Sequence, residues 1–248
     1  MSKQKLPKEF PLQEGDKLTP SAKDFLLDRK IPIVADKAVV SNSVQLTIPV
    51  GVSNRHAHLS EYHFHLLFGD RASLTVLRSL SQPGQFAAYE TVTIVGQKGV
   101  LQNVRILGPL RNHTQIEISK TDGFTLGVHP PIRPSGLIEG TPGITIVGPV
   151  GSVTIDTGLI IAKNHVHLSK ADAKIFDVIN GDSLIVKSNK RPVIFHDVTV
   201  RVQEEYQLEF HIDMDEANAS GVNTGDTVRV IGKNRSLFST ILGDEQDG

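Results

Sequence analysis

The chain predicts a mainly β protein made of two related small β-barrel domains with short helices. Three observations predict it: the spacing of strand-like runs, the scarcity of helical ones, and an internal repeat. From about Val39 the sequence breaks into short Val-, Ile- and Thr-rich stretches, among them SVQLTIPVGV, TVTIVG, NVRILG, TQIEIS, GITIVG, SVTID, SLIVKS, DVTVRV, LEFHID and TVRVIG. They recur at intervals of roughly 8 to 15 residues with Gly, Pro, Asn or Asp between them, the pattern of small barrels or sandwiches rather than of βαβ units. Within this region only Glu61 to Phe68 and Lys170 to Ile179 offer helical stretches of any length.

The repeat is the third observation. NRHAHLS at Asn54 to Ser60 returns as KNHVHLS at Lys163 to Ser169. Each copy is followed by an expected helix and a Gly-Asp pair, Gly69-Asp70 and Gly181-Asp182, and later by a Gln-apolar-Glu-apolar run, Gln115 to Ile118 and Gln207 to Phe210. Three features in the same order twice indicate a duplicated unit, and two facing copies of one barrel is the simplest fold that follows. Ahead of them, TPSAKDFLLDRK carries a helix signature: a Thr19 cap, Pro20 in the first turn and basic residues at the end. Ala22, Phe25 and Leu26 share one face of that helix, and such a face is expected to dock on the parent domain.

Composition narrows the chemistry. A length of 248 residues suits two small domains, and 39% hydrophobic residues suffice for globular cores. A net charge of -1 with interspersed signs argues against nucleic acid or an anionic membrane as partner. The absence of cysteine removes disulfides, thiolate nucleophiles and Cys-ligated zinc, so any metal must be held by His and carboxylate. The N-terminus lacks the apolar core of a signal peptide and no run of about 18 apolar residues occurs, so a soluble cytoplasmic protein is expected. Neither a Gly-x-Gly-x-x-Gly or Walker loop nor a Gly-x-Ser-x-Gly elbow is present.

Side chains at i and i+2 of a strand project from one face, so His56 can converge with His58 and His165 with His167. One such pair is weak evidence for a metal, because an exposed His pair is commonly incidental. Matched pairs in a duplicated fold are strong evidence. A catalytic site wants a third protein ligand, and the late strand of each copy supplies Glu117 in the first half and Glu209 or His211 in the second. Aligning the two Gln-x-Glu runs sets Glu117 opposite Glu209. His63 and His65 have no counterpart in the second copy and sit in an expected helix, where they read as surface residues. Arg105 and Arg111 flank a Leu-Gly-Pro-Leu turn just ahead of Glu117; a lone arginine is usually a surface ion-pair partner, but nearness to the metal strand promotes Arg111 as a phosphate ligand. SQPGQFAA, Ser81 to Ala88, is a plain turn or a rigid substrate loop.

The chain resembles the PduL-type phosphate acyltransferases, also called phosphate propanoyltransferases, of bacterial diol and ethanolamine metabolism. The resemblance runs from about Ile48 to Ile231 through NRHAHLS, SQPGQFAAYETVTIVG, VRILGPLR-x3-QIEIS, SGLIEGTPGITIVGP, IIAKNHVHLS and HIDMDEANASG. It implies a dinuclear site, with zinc as the metal, held by His56, His58 and Glu117 and by His165, His167 and His211, which selects His211 over Glu209. It also implies a phosphate-binding role for Arg111, and places Ser53, Arg78, Arg105 and Asn218 near a coenzyme A pocket. Asn164 stands where the family more often has arginine, and Asp70-Arg71-Ala72 where it has a Gly-Tyr-type sequence.

The family fold further implies that the strand Val44 to Ser53 belongs to the second barrel, so that the first barrel is inserted after it. The expected division is a 1–38 extension, a first barrel over 54–163, a second over 39–53 plus 164–235, and a 236–248 tail. Acyl-CoA, CoA, phosphate and acyl phosphate are the implied partners, and both a homodimer and a place inside a bacterial microcompartment are compatible with the sequence. In the implied reaction, Arg111 and one metal orient phosphate, a metal polarises the thioester carbonyl, and the Glu117 site meets the departing sulfur, with no covalent acyl-enzyme. Ser53 keeps a serine route open. The rival readings are a two-metal hydrolase, in which water attacks, and a metal-stabilised binding or assembly module. Structural zinc normally has four protein ligands, and only three per copy are found.

Overall fold

A computed structural model describes residues 10–12, 18–35 and 46–238. The chain divides into two compact units, Met1–Gln45 and Leu46–Gly248. In the first, β1 (Phe10–Leu12) pairs in parallel with β2 (Ile33–Ala35), and α1 (Pro20–Asp28) lies between them in sequence. Thr19 caps α1 as expected, its Oγ1 accepting the Ala22 N–H at 3.2 Å, and Arg29 lies 3.8 Å over the Phe25 ring. The first residues of the expected Val44 to Ser53 strand, and most of the expected tail, fall outside the described residues.

The second unit begins with β3 (Thr47–Ser53), followed by β4 (His56–His58), α2 (Glu61–Phe68), β5 (Val76–Ser79), β6 (Phe86–Val95) and β7 (Val100–Gly108). Then come β8 (Gln115–Glu117), α3 (Lys120–Leu126), β9 (Ile132–Arg133), β10 (Ile144–Val147), β11 (Ser152–Ile155) and β12 (Leu159–Ala162). The second copy holds β13 (His165–Leu168), α4 (Lys170–Ile175), β14 (Ser183–Ser188), β15 (Ile194–Val202), β16 (Glu209–Asp213), α5 (Met214–Ser220), β17 (Thr227–Lys233) and β18 (Ser236–Leu237).

Two sheets result, each with its own core. One runs β14-β15-β13-β16-β3-β17 and closes on itself through β14–β17 pairing, with β18 appended to β17. The other runs β11-β10-β6-β7-β4-β8-β12-β9, with β5 added beside β6. The two correspond strand for strand: β13 to β4, β14 to β6, β15 to β7, β16 to β8, β17 to β10 and β3 to β12. Every shared pairing keeps its sense, parallel for β4–β7 and β13–β15, antiparallel for β4–β8 and β13–β16, parallel for β8–β12 and β16–β3. The copies differ at one seam. β17 pairs with β3, whereas no ladder joins β10 to β12. That gap is bridged by the Leu159 N–H donating to Pro142 O at 3.0 Å and the Gly158 N–H donating to Thr141 Oγ1 at 2.9 Å. The two related barrels expected from the repeat are therefore a closed one in the second copy and a half-barrel in the first.

The strands also exchange between copies. β3 leads directly into β4 in sequence but hydrogen-bonds in the sheet of the second copy, while β12 leads into β13 but pairs with β8 of the first. The first copy is thus inserted after the first strand of the second, as the family resemblance implies. Alternation builds the cores: Val198 and Val200 of β15 and Val228 and Val230 of β17 face one interior, Val92 and Ile94 of β6 the other. β14 instead buries Leu184, Ile185 and Val186 consecutively, which a register shift at that point permits.

The helices repeat too. Ser60 and Ser169 cap α2 and α4, each accepting the backbone N–H three residues on. α4 is shorter than the expected Lys170 to Ile179, because Asp177 turns to a left-handed φ of 50° and the Val178 N–H returns to Ala173 O at 3.0 Å. α3 and α5 were not expected. Both follow the third-ligand strand and start at reciprocal capping boxes, Ser119 with Asp122 and Asp213 with Glu216.

Candidate active site and metal centre

β4 is flanked by β7 and β8, and this register sets the first cluster. His56 lies opposite Glu117 and His58 opposite Gln115. The Nε2 of His56 is 3.4 Å from Glu117 Oε2, and that of His58 is 3.8 Å from Oε1. His56 Nδ1–H donates to Asn54 O at 2.8 Å, which turns its Nε2 toward the carboxylate. Glu117 also accepts hydrogen bonds from Gln115 Nε2 at 2.6 Å and Ser135 Oγ at 2.7 Å. Burial alone would raise the Glu117 carboxyl, but His56, His58, the Ser135 hydroxyl and Arg111 outweigh it and hold it down at about 2.

The second cluster is built the same way between β15 and β16. His165 lies opposite His211 and His167 opposite Glu209. His165 Nδ1–H donates to Lys163 O at 2.9 Å, the counterpart of the His56 bond. The three rings pack with centroids 4.7 to 5.1 Å apart. This register corrects the alignment of the Gln-x-Glu runs: Glu117 corresponds to His211 and Gln115 to Glu209, two residues later than the sequence pattern suggested. A shift of two residues preserves the strand face, so the pattern alone could not reveal it. Glu209 Oε2 sits 2.6 Å from His211 Nε2 without the alignment of a hydrogen bond, and it accepts from Ser81 Oγ. Its side chain lies against β3 at Gly51, where a Cβ would come within 2.6 Å of the Glu209 carboxyl carbon.

In each cluster one donor atom from each of three residues lies within 4.8 Å of the others. Burial, then His56, pushes His58 down to about 3; burial, then Arg201, pushes His165 to about 3; burial, then His165, pushes His167 to about 2. At neutral pH these imidazoles are uncharged and offer lone pairs. Nδ1 of His58 and of His167 is buried and has no hydrogen-bond partner. Three imidazoles in one cluster, and two with a carboxylate in the other, form donor sets that fit divalent cations of the zinc type with positions left open.

All six residues line one cleft of roughly 790 Å³ between the two sheets. Ser53, Arg78, Arg105 and Arg111 line it as well. Arg105 donates through Nη1 to Ala88 O at 3.0 Å and Tyr89 O at 2.8 Å, which fixes its position. Arg111 follows the Gly-Pro turn, donates its N–H to Leu59 O at 2.9 Å and reaches Ser135 Oγ with Nη1 at 3.4 Å. Burial lowers its guanidinium, partly offset by Glu117. Asn218 is not brought to the cleft: it is exposed on α5, its carbonyl accepting from Arg191 Nη1 at 3.2 Å.

Several cleft residues were not legible from motifs. Arg201 is paired in register with His167, so it shares that face of the sheet; among the described residues neither it nor Arg111 has a carboxylate at ion-pair distance. The alternation of DVTVRV, with Val198 and Val200 inward, could have flagged it. Tyr206 packs on His167 with ring centroids 4.4 Å apart. The Ser81 to Ala88 segment holds the copies together: Gln82 Nε2 donates to Gln207 O at 3.0 Å and the Gln207 N–H donates to Gln82 Oε1 at 3.2 Å. Asn164 donates to Glu216 Oε1 at 2.6 Å, where the first copy has Arg55 ion-paired with Asp122 at 2.9 Å. His63 is not a bare surface residue, since its Nδ1 hydrogen-bonds with Thr114 Oγ1 at 2.8 Å and ties α2 to the strand carrying Glu117.

Among the described residues no helix is long and apolar enough to cross a membrane. A family profile described as phosphate propanoyltransferase matches residues 49–223. The chain is similar to proteins named phosphate propanoyltransferase from Thermotoga maritima, 55% identical over 186 residues, and Rhodobacter capsulatus, 48% identical over 207 residues. These alignments cover 74% and 83% of this chain and 89% and 96% of those proteins. One of the same name from Salmonella typhimurium is 45% identical over 199 residues, 79% of this chain and 94% of that one. With the profile spanning both His-x-His pairs, the chain belongs to the phosphate propanoyltransferase family of acyltransferases.

Proposed function

We propose that the chain interconverts a short-chain acyl-CoA plus inorganic phosphate with acyl phosphate plus CoA, using two divalent cations, zinc by the nature of the donors. The observation that supports this most directly is the convergence on one cleft of two matched three-donor clusters and two arginines that have no carboxylate at ion-pair distance among the described residues. His56, His58 and Glu117 would hold one cation and His165, His167 and His211 the other. Bound there, such cations supply Lewis-acid stabilisation to the thioester oxygen, the phosphate and the departing sulfur.

The protein's own part is positional and electrostatic. Arg111 and Arg201 present forked donors to phosphate from two sides of the cleft, and their partial burial strengthens that attraction. Ser135 links Glu117 to Arg111, and Gln115 donates to the same Glu117 oxygen and to Ser135. A phosphate oxygen attacks the carbonyl carbon, the C–S bond breaks, and the proton of the hydrogen phosphate passes to the CoA thiolate, so atoms and charge balance. Ser53, Arg78 and Arg105 line the same cleft and, by the family resemblance, would serve the coenzyme A pocket. Thiol release from acetyl-, propanoyl- and butanoyl-CoA, with and without phosphate, tests the proposal. Release should require phosphate and generate acyl phosphate; equal release in phosphate-free buffer would make the chain a thioester hydrolase.

A further inference from the structure

Behind the clusters lies a second cavity of roughly 390 Å³, lined by Arg111, Asn112, His113, Gln115, Gly136 and Ile138. A water claims only about 30 Å³ of liquid, so the space admits a phosphate with several waters. Asn112, His113 and Gly136 are exposed and do not line the main cleft, so the cavity opens to solvent through residues of its own. Arg111 lines both spaces. The partition between them is thin: Ser135 faces the cleft and the next residue, Gly136, faces the outer cavity. Across it Arg111 reaches Ser135 Oγ at 3.4 Å, a long bond, while Gln115 donates to Ser135 Oγ at 2.8 Å and accepts from the Gly136 N–H at 2.8 Å.

We propose that this outer cavity is a loading site for inorganic phosphate, separate from the mouth that admits acyl-CoA. Arg111, Asn112, His113 and Gln115 bring polar side chains to its lining, which suits a hydrated anion. Arg111, with no carboxylate at ion-pair distance among the described residues, is the cation that would hold the anion on either side of the partition. A bulky CoA thioester filling the main cleft would block phosphate from entering there; an opening through residues outside that cleft removes the conflict and allows the two substrates to bind in either order.

The inference rests on the phosphate acyltransferase reading, and the test separates the two. Asn112→Asp places a negative charge at the outer mouth, and Ile138→Trp narrows it; neither residue lines the main cleft. Steady-state thiol release is measured with phosphate and propanoyl-CoA varied independently. For both variants the KM for phosphate should rise about tenfold, while the KM for propanoyl-CoA stays within about twofold of the parent. Phosphate-independent release by the parent protein would defeat the functional reading itself. A phosphate-dependent parent with variants of unchanged phosphate KM would overturn the loading site alone, and so would a parallel rise in both KM values. Because Asn112 is exposed, loss of folding in the Trp variant leaves the Asp variant to decide.

Discussion

Acid should weaken the metal-free protein steeply between pH 7 and pH 5, and the size of the effect follows from the buried imidazoles. His58 and His165 each drop from 6.5 to about 3 in the fold, so between those values the unfolded chain binds protons that the folded one refuses. Stability is then flat above about pH 7 and falls as pH falls, by about 2 kcal/mol per group at pH 5. One such group from each cluster gives about 4 kcal/mol, a large share of the 5–15 kcal/mol typical of a domain. His167, lowered to about 2, acts in the same direction. Asp213 and Glu216, raised chiefly by burial, act in the opposite one. Glu117 is held at about 2 and stays ionised throughout this window. Urea unfolding of chelator-stripped protein, followed by far-UV circular dichroism at pH 7, 6 and 5, measures the slope. An unfolding free energy that is level or rises on going to pH 5 would refute the reasoning.

Arg111→Lys should leave the melting temperature nearly unchanged but cut turnover tenfold to a thousandfold, since an ammonium cannot grip phosphate bidentately; roughly 1.4 to 4 kcal/mol of transition-state stabilisation is at stake. Wild-type turnover with an unchanged phosphate KM would remove Arg111 from the site. Elemental analysis should find close to two divalent metals per chain, and His165→Ala should lower the count by about one. Gln82→Ala breaks both hydrogen bonds to Gln207 and should cost about 1–3 kcal/mol in urea unfolding, with catalysis impaired more than metal content.

Much of this architecture was readable because duplication amplifies weak signals. A lone His-x-His says little, yet the pair at His56 and the pair at His165 marked equivalent strands, and the structure sets them in equivalent registers. What escaped the sequence has identifiable physical causes. Glu117 and Glu209 looked equivalent because strand faces repeat every two residues, and the hydrogen-bonded pairing to β13 sets His211, as the family resemblance implied, at the position equivalent to Glu117. α3 and α5 were missed because seven residues carry too little periodicity, although their capping boxes were present in the text of the chain. Arg201 was hidden in a strand that reads as ordinary alternation, and the open seam between β10 and β12 depends on pairing across the copies, which no local pattern encodes.

The exchange of β3 and β12 bears on how the chain can fold as it is made. β3 must wait for β16 and β17, whose residues 210–213 and 227–229 lie far downstream of its own residues 47–53. During synthesis the first copy can assemble its sheet once β12 emerges, while β3 remains a strand without neighbours. Closing so long a loop is entropically slow, although its cost grows only logarithmically with length. Emergence of β16 and β17, rather than completion of the first copy, therefore sets the moment at which the closed barrel can form. A premature stop anywhere before β16 would leave a hydrophobic strand exposed to pairing with other chains, so truncated products should aggregate where the full chain does not.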